Sequence, residues 1–188
     1  MVATFNVVWD YGGTANTPGT TAETLTNLRF NKEDTNDQDT ASPLTITPST
    51  TIYSYLKHVY LKCSGAPSVQ IDNVKFYTDG ANGLGTGVAV YSADDTCTKN
   101  SGSSAGYYPA ATVGQATMVG NHDTVTAQTS IFTYTSGSAK TVAISESGSI
   151  INATNETTNY VVLQMTVVDT ASPGTTATET CTFSYDEI

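Results

Sequence analysis

The chain is poor in positive charge. Its 188 residues include 7 Lys plus Arg against 17 Asp plus Glu, a formal charge of −10. One arginine, Arg29, and six scattered lysines cannot build the basic surface that duplex nucleic-acid binding requires, so no nucleic-acid partner is expected. Charged residues are only 13% of the chain, about half the usual share of roughly 25%. Strong helix formers are scarce, which argues against a coiled coil or helical bundle. No run of about 18 apolar residues occurs, so no membrane-spanning helix is expected. The first ten residues, MVATFNVVWD, have neither a basic n-region nor an apolar h-region, so no signal peptide is expected. Cysteine is limited to Cys63, Cys97 and Cys181, an odd number with no CxxC. That speaks against a zinc site or a dense disulfide framework; small buried thiols are expected, with one disulfide plus one free thiol as the alternative.

Threonine is abundant: 35 residues, nearly one in five. At 38% hydrophobic the chain is too apolar for a disordered tail and long enough for one good core. The recurring pattern has period two. Ala3, Phe5, Val7 and Trp9 alternate with polar neighbours, though Val8 breaks the polar face. Val161, Leu163, Met165 and Val167 line one face of a second strand, with Gln164 and Thr166 on the other. Near the end, Ala177, Cys181, Phe183 and Tyr185 oppose Thr178, Thr180, Thr182 and Ser184. Residues 53–63 read as a strand in which Lys57 intrudes on the apolar face, predicting an edge or partial exposure. Residues 69–77 change phase at Asp72-Asn73, the signature of a β-bulge. Shorter strands are expected at 28–30, 44–47, 88–91, 117–119, 130–134 and 141–144, and a single helical turn around 21–27. Long Gly-, Asn-, Asp- and Ser-rich loops separate them, at 11–20, 31–42, 78–87, 93–106 and 145–158. The sum is an all-β chain, an antiparallel β-sandwich or jelly roll with long loops, in a single domain spanning 1–188.

Residues that carry chemistry are few. The two histidines, His58 and His122, have no accompanying nucleophile motif. His58 is placed on the strand face opposite Val59 and Leu61, as a surface or interface residue. The acidic loop with Glu33, Asp34, Asp37 and Asp39 is a candidate calcium site, since calcium takes oxygens from flexible loops; the alternative is a solvated face. The glycine run at 79–87 lacks the lysine and the following helix of a phosphate-binding loop, and reads as turns between antiparallel strands. Tyrosines at 53, 55, 60, 77, 91, 107, 108 and 134 exceed what one small core takes. Tyr53, Tyr55, Tyr60, Tyr107 and Tyr108, with His58, are therefore candidate interface residues, for subunits or for a glycan.

Four segments carry a resemblance: SYLKHVYLKC (54–63), NVKFYTDGANGLGTGV (73–88), NYVVLQMTVVDTASPGT (159–175) and ETCTFSYDEI (179–188). They resemble small β-rich virion structural proteins of tailed bacteriophages. The resemblance implies a non-enzymatic virion protein assembled in the host cytoplasm. A capsid decoration protein is the first placement, and a tail, collar or fibre component the second. It implies contact with the major capsid protein or other virion proteins, and a homo-oligomer with a trimer favoured. A carbohydrate-binding or adhesin module, contacting host glycans, is the competing reading. No catalytic residue and no cofactor follows, calcium excepted.

Overall fold

A computed structural model describes residues 2–22, 24–35, 43–109, 117–174 and 176–188. Its strands pair antiparallel throughout, in two sheets. The larger sheet comprises β1 (Thr4–Thr14), β2 (Thr17–Ala22), β3 (Ile52–Tyr53), β4 (Lys57–Gly65), β6 (Val88–Ala93), β7 (Gln128–Ser130) and β9 (Val161–Val167). Its order is β2-β1-β4-β9-β6-β7, with β3 beside β9. The smaller sheet is β10 (Thr182–Glu187), β5 (Ile71–Tyr77) and β8 (Lys140–Thr141), in that order. The all-β sandwich expectation holds. A jelly roll divides eight strands between two sheets; here the division is seven and three.

The first core lies between the sheets. Val59, Leu61 and Cys63 from β4, and Val161, Leu163, Met165 and Val167 from β9, meet Ile71, Val74 and Phe76 from β5. Phe183 packs tilted against Phe76 at 5.2 Å, and Tyr185 against Phe5 at 4.8 Å, so β10 closes that core along the apolar row its sequence shows. The phase change in residues 69–77 is a real bulge. Asn73 has φ 48°, and the register against β10 shifts between Ser184 and Asp186.

The larger sheet also buries its other face, which period-two reading assigned to solvent. Val8, Leu56, Tyr60, Tyr160 and Val162 form a second core with Ala93, Cys97, Tyr107, Met118 and Val125. These last residues come mostly from the long connection between β6 and β7, including the helical turn α1 (Met118–Asn121). Val8 is thus a core residue of the second face, and every residue of β9 is buried. Gln164 sits under the turn, its Oε1 accepting from Met118 N at 2.6 Å while its Nε2 donates to Ser54 O at 3.0 Å.

Several local expectations are corrected. Residues 11–20 are a hairpin, with Ala15-Asn16 between the paired Thr14 and Thr17 and Asn16 at φ 63°. Strand β2 occupies the start of the expected helical turn. Residues 28–30 and 44–47 run without ladder pairing, although Leu28, Phe30, Leu44 and Ile46 still pack on the first core. Residues 117–119 open a helical turn capped by the Thr117 hydroxyl. The ladder of β10 begins only at Thr182, leaving Cys181 exposed. The glycine run joins β5 to β6, and so links the two sheets instead of making a hairpin within one. The thiols of Cys63 and Cys97 are buried, and all three cysteines are free.

Candidate functional site

The second face concentrates the polar and aromatic chemistry of the chain. It is built on β1 and β4, where alternation sends Val8 and Asp10, His58 and Tyr60 to one side. Asp10 is its centre. The side chain is fully buried and takes four contacts: Tyr160 OH at 2.5 Å, Thr21 Oγ1 at 2.5 Å, Tyr60 OH at 3.2 Å and Lys99 Nζ at 3.6 Å. A buried carboxylate is tolerated when hydrogen bonds and a counter-charge replace its water. Both are present. Lys99 also donates to Ser104 Oγ at 2.9 Å and lies 5.2 Å from the Tyr60 ring centroid. Burial, then the Asp10 charge, pushes the Tyr160 hydroxyl far above its usual range, so it stays a donor at all ordinary pH.

Beside this network lie both histidines. His58 and His122 stack with ring centroids 5.6 Å apart, and Tyr107 and Tyr160 pack on His58 at 4.7 and 5.3 Å. His58 Nε2 accepts from Tyr108 N at 3.3 Å, which puts its proton on Nδ1. His122 is the opposite tautomer: Nε2–H faces Gly106 O at 3.2 Å, and Nδ1 lies 3.1 Å from the Thr124 hydroxyl. Burial lowers the pKa of both, His58 well below 6.5, with His122 and then Lys57 depressing His58 further. Both rings are therefore neutral at pH 7. His58 fastens the β6–β7 connection to β4 through Tyr108, and His122 ties two parts of that connection together through Gly106.

The expectation that His58, Tyr60 and Tyr107 are surface residues is corrected. They are 1–2% exposed, because the β6–β7 connection covers the face that alternation assigned to water. Tyr107 OH donates to Gly12 O at 2.6 Å. Tyr53, Tyr55 and Tyr108 are half-buried. Lys57 is corrected too. Strand β4 is central, between β1 and β9, and Lys57 is completely buried. Its Nζ sits 4.4 Å over the Trp9 ring and donates to Thr35 O at 2.7 Å. Burial lowers its pKa to about 8, against an opposing pull from Asp34.

The acidic loop is divided. Asp37 and Asp39 lie outside the described residues. Glu33 is exposed, and Asp34 points inward, its Oδ2 accepting from Gly12 N at 2.6 Å. Burial raises the Asp34 pKa. Among the described residues no group of three metal-ligating side chains is assembled.

Above the Asp10 network a polar groove of about 360 Å³ opens to solvent. Thr21, Tyr60 and Lys62 contribute from β2 and β4, Lys99 and Ser101 from the β6–β7 connection, and Asn155 and Thr157 from the segment before β9. Its residues are far apart in the chain, and only the fold joins them. Comparison with protein-family models, curated proteins and solved structures finds no match to this chain.

Proposed function

We propose that this chain is a structural protein of a virion surface, first of all a capsid decoration protein and otherwise a tail, collar or fibre component. The observation that carries the reading is how the reactive residues are used. Asp10, Lys57, His58 and His122 are each buried and spent on internal contacts, Asp10 and the two histidines on the second face and Lys57 against Trp9 and Thr35. Charged residues are only 13% of the whole chain, so the surface is low in charge for its size. Interface cores are depleted in charge in the same way. The sequence resemblance to tailed-phage virion proteins supplies the biological setting, and the half-buried Tyr53, Tyr55 and Tyr108 supply amphipathic contact area for capsid or for a second and third copy.

The test is to purify particles of the virus that encodes the chain and to strip their tails. The protein should be found in the particles and stay with the heads. Recovery with the tails favours the second placement, and absence from particles overturns the reading.

A further inference from the structure

We propose that His58 and His122 form an acid-operated catch: proton uptake by the stacked pair releases the β6–β7 connection from the larger sheet and uncovers the second core, while the first core stays folded. The inference rests on the second face alone and is independent of the virion reading.

Each ring is placed so that a second proton breaks a contact. His58 is 1% exposed and His122 is 3% exposed, with centroids 5.6 Å apart. The neutral His58 ring has its lone pair on Nε2, where it accepts from Tyr108 N at 3.3 Å. A proton arriving there sets two donors face to face, and the bond that ties the connection to β4 is lost. The lone pair of His122 is on Nδ1, which accepts from Thr124 N at 3.4 Å and faces the Thr124 hydroxyl at 3.1 Å. Its contact with the Thr124 amide is lost in the same way. Tyr108 also packs on the His122 ring, at 5.4 Å, so one residue joins both rings.

Among the described residues, counter-charge reaches only one ring of the pair. On β4, Lys57 is a second cation beside His58. On β1, Asp10 stands across the ladder from His58, but its carboxylate is taken by Thr21, Tyr60, Tyr160 and Lys99. Tyr107 and Tyr160 pack on His58, and burial holds their hydroxyls protonated. Asp123 lies 3.9 Å from His122 Nδ1, and with Asp95 it favours a proton on that ring. The charge so gained stands against His58 and opposes a second one there. Opening puts both rings in water and removes the conflict.

The connection can lift without the rest of the fold. It supplies Cys97, Tyr107, Met118 and Val125 to the second core, and none of its described residues belongs to the first. It is held to the sheet by single contacts, such as Tyr160 N to Cys97 O at 3.0 Å and Met118 N to Gln164 Oε1 at 2.6 Å. Strands β5 and β9 keep their ladders when these contacts part. Segments held in this way open locally, below the cost of global unfolding.

The test is hydrogen–deuterium exchange of the whole chain at pH 7.5 and 5.5, corrected for the intrinsic rate at each pH. Amides in 97–108 and 118–125 should exchange through an opening that leaves β5 and β9 protected. Their protection should fall by about tenfold between the two pH values, the effect of one histidine freed to titrate near 6.5. His58→Gln keeps an acceptor for Tyr108 N and should remove most of that fall. Equal protection in the connection and in β5 and β9 would mean that only whole-chain unfolding exposes it, and overturns the catch. Wild-type protection that does not change with pH overturns it as well, whether or not the variant folds. A folded His58→Gln protein with the wild-type fall does the same.

Discussion

Acidification should loosen this protein through its two histidines, and the size of the effect follows from their burial. In the unfolded chain each histidine titrates near 6.5. In the folded chain burial holds both below that value, His58 far below. A folded pKa depressed below the unfolded one means that the unfolded state binds more protons as pH falls. The stability contribution is therefore fully present above pH 6.5 and is lost progressively below it. At pH 5.5, a histidine that stays neutral in the fold costs about 1.4 kcal/mol relative to pH 7.5, the loss expected from His58; the less depressed His122 adds a smaller loss of the same sign. Carboxylates titrate nearby, and Asp34, with its raised pKa, works in the opposite direction. The comparison must therefore be differential. His58→Gln keeps an acceptor for Tyr108 N, and its pH dependence between 7.5 and 5.5 should be smaller than that of the wild type by about 1.4 kcal/mol. Urea unfolding at the two pH values, for both proteins, measures it. A variant that itself lowers stability does not confuse the result, because the slope with pH is what is read. Equal pH dependence in both proteins would refute the claim that His58 is buried and neutral.

Other outcomes follow from the same burial. Asp10→Asn replaces an acceptor of three hydroxyl protons with a group that itself donates, and leaves Lys99 without its counter-charge, so it should cost about 3 kcal/mol by chemical denaturation. Lys57 is depressed to about 8, so its penalty is present at neutral pH and is relieved as pH rises above 8. Between pH 7 and 9.5 this adds about 2 kcal/mol of stability, and Lys57→Met should remove that increment from the measured pH profile. At the bulge, Asn73 holds φ 48° and its Nδ2 donates to Asp186 Oδ2 at 2.7 Å. Asn73→Ala loses both tolerances and should be less stable than Asn73→Gly by about 1 kcal/mol in thermal or urea melts.

The strands whose alternation packs them between the two sheets were legible in the sequence. Phe5 and Val7, then Val161, Leu163, Met165 and Val167, and Phe183 with Tyr185 all face the first core as their spacing indicates. The bulge was legible as well, because a one-residue slip moves side chains to the opposite face and leaves a visible break in phase. The second core was not. Tyr60, His58 and Gln164 occupy the polar phase of their strands, and a polar phase normally means solvent. What covers them is the β6–β7 connection, which has almost no strand periodicity of its own and contributes single residues such as Cys97, Tyr107 and Met118. Two clues lay in the composition: a tyrosine count too large for one core, and Val8 standing alone on a polar face. The surplus tyrosines read as interface, when much of that surplus is internal. Lys57 misled in the same way, since a lysine on an apolar face signals an edge unless an aromatic ring and a carbonyl are waiting for it, as Trp9 and Thr35 are. The groove was invisible because its lining comes from four separate stretches of chain.

The first placement we propose for the chain is the surface of a viral head. The most direct measurement is its stoichiometry against the major capsid protein in purified, tail-stripped particles, by quantitative mass spectrometry. A ratio of the same order as the capsid protein is predicted. Absence from the heads, or a ratio far below it, would contradict the account.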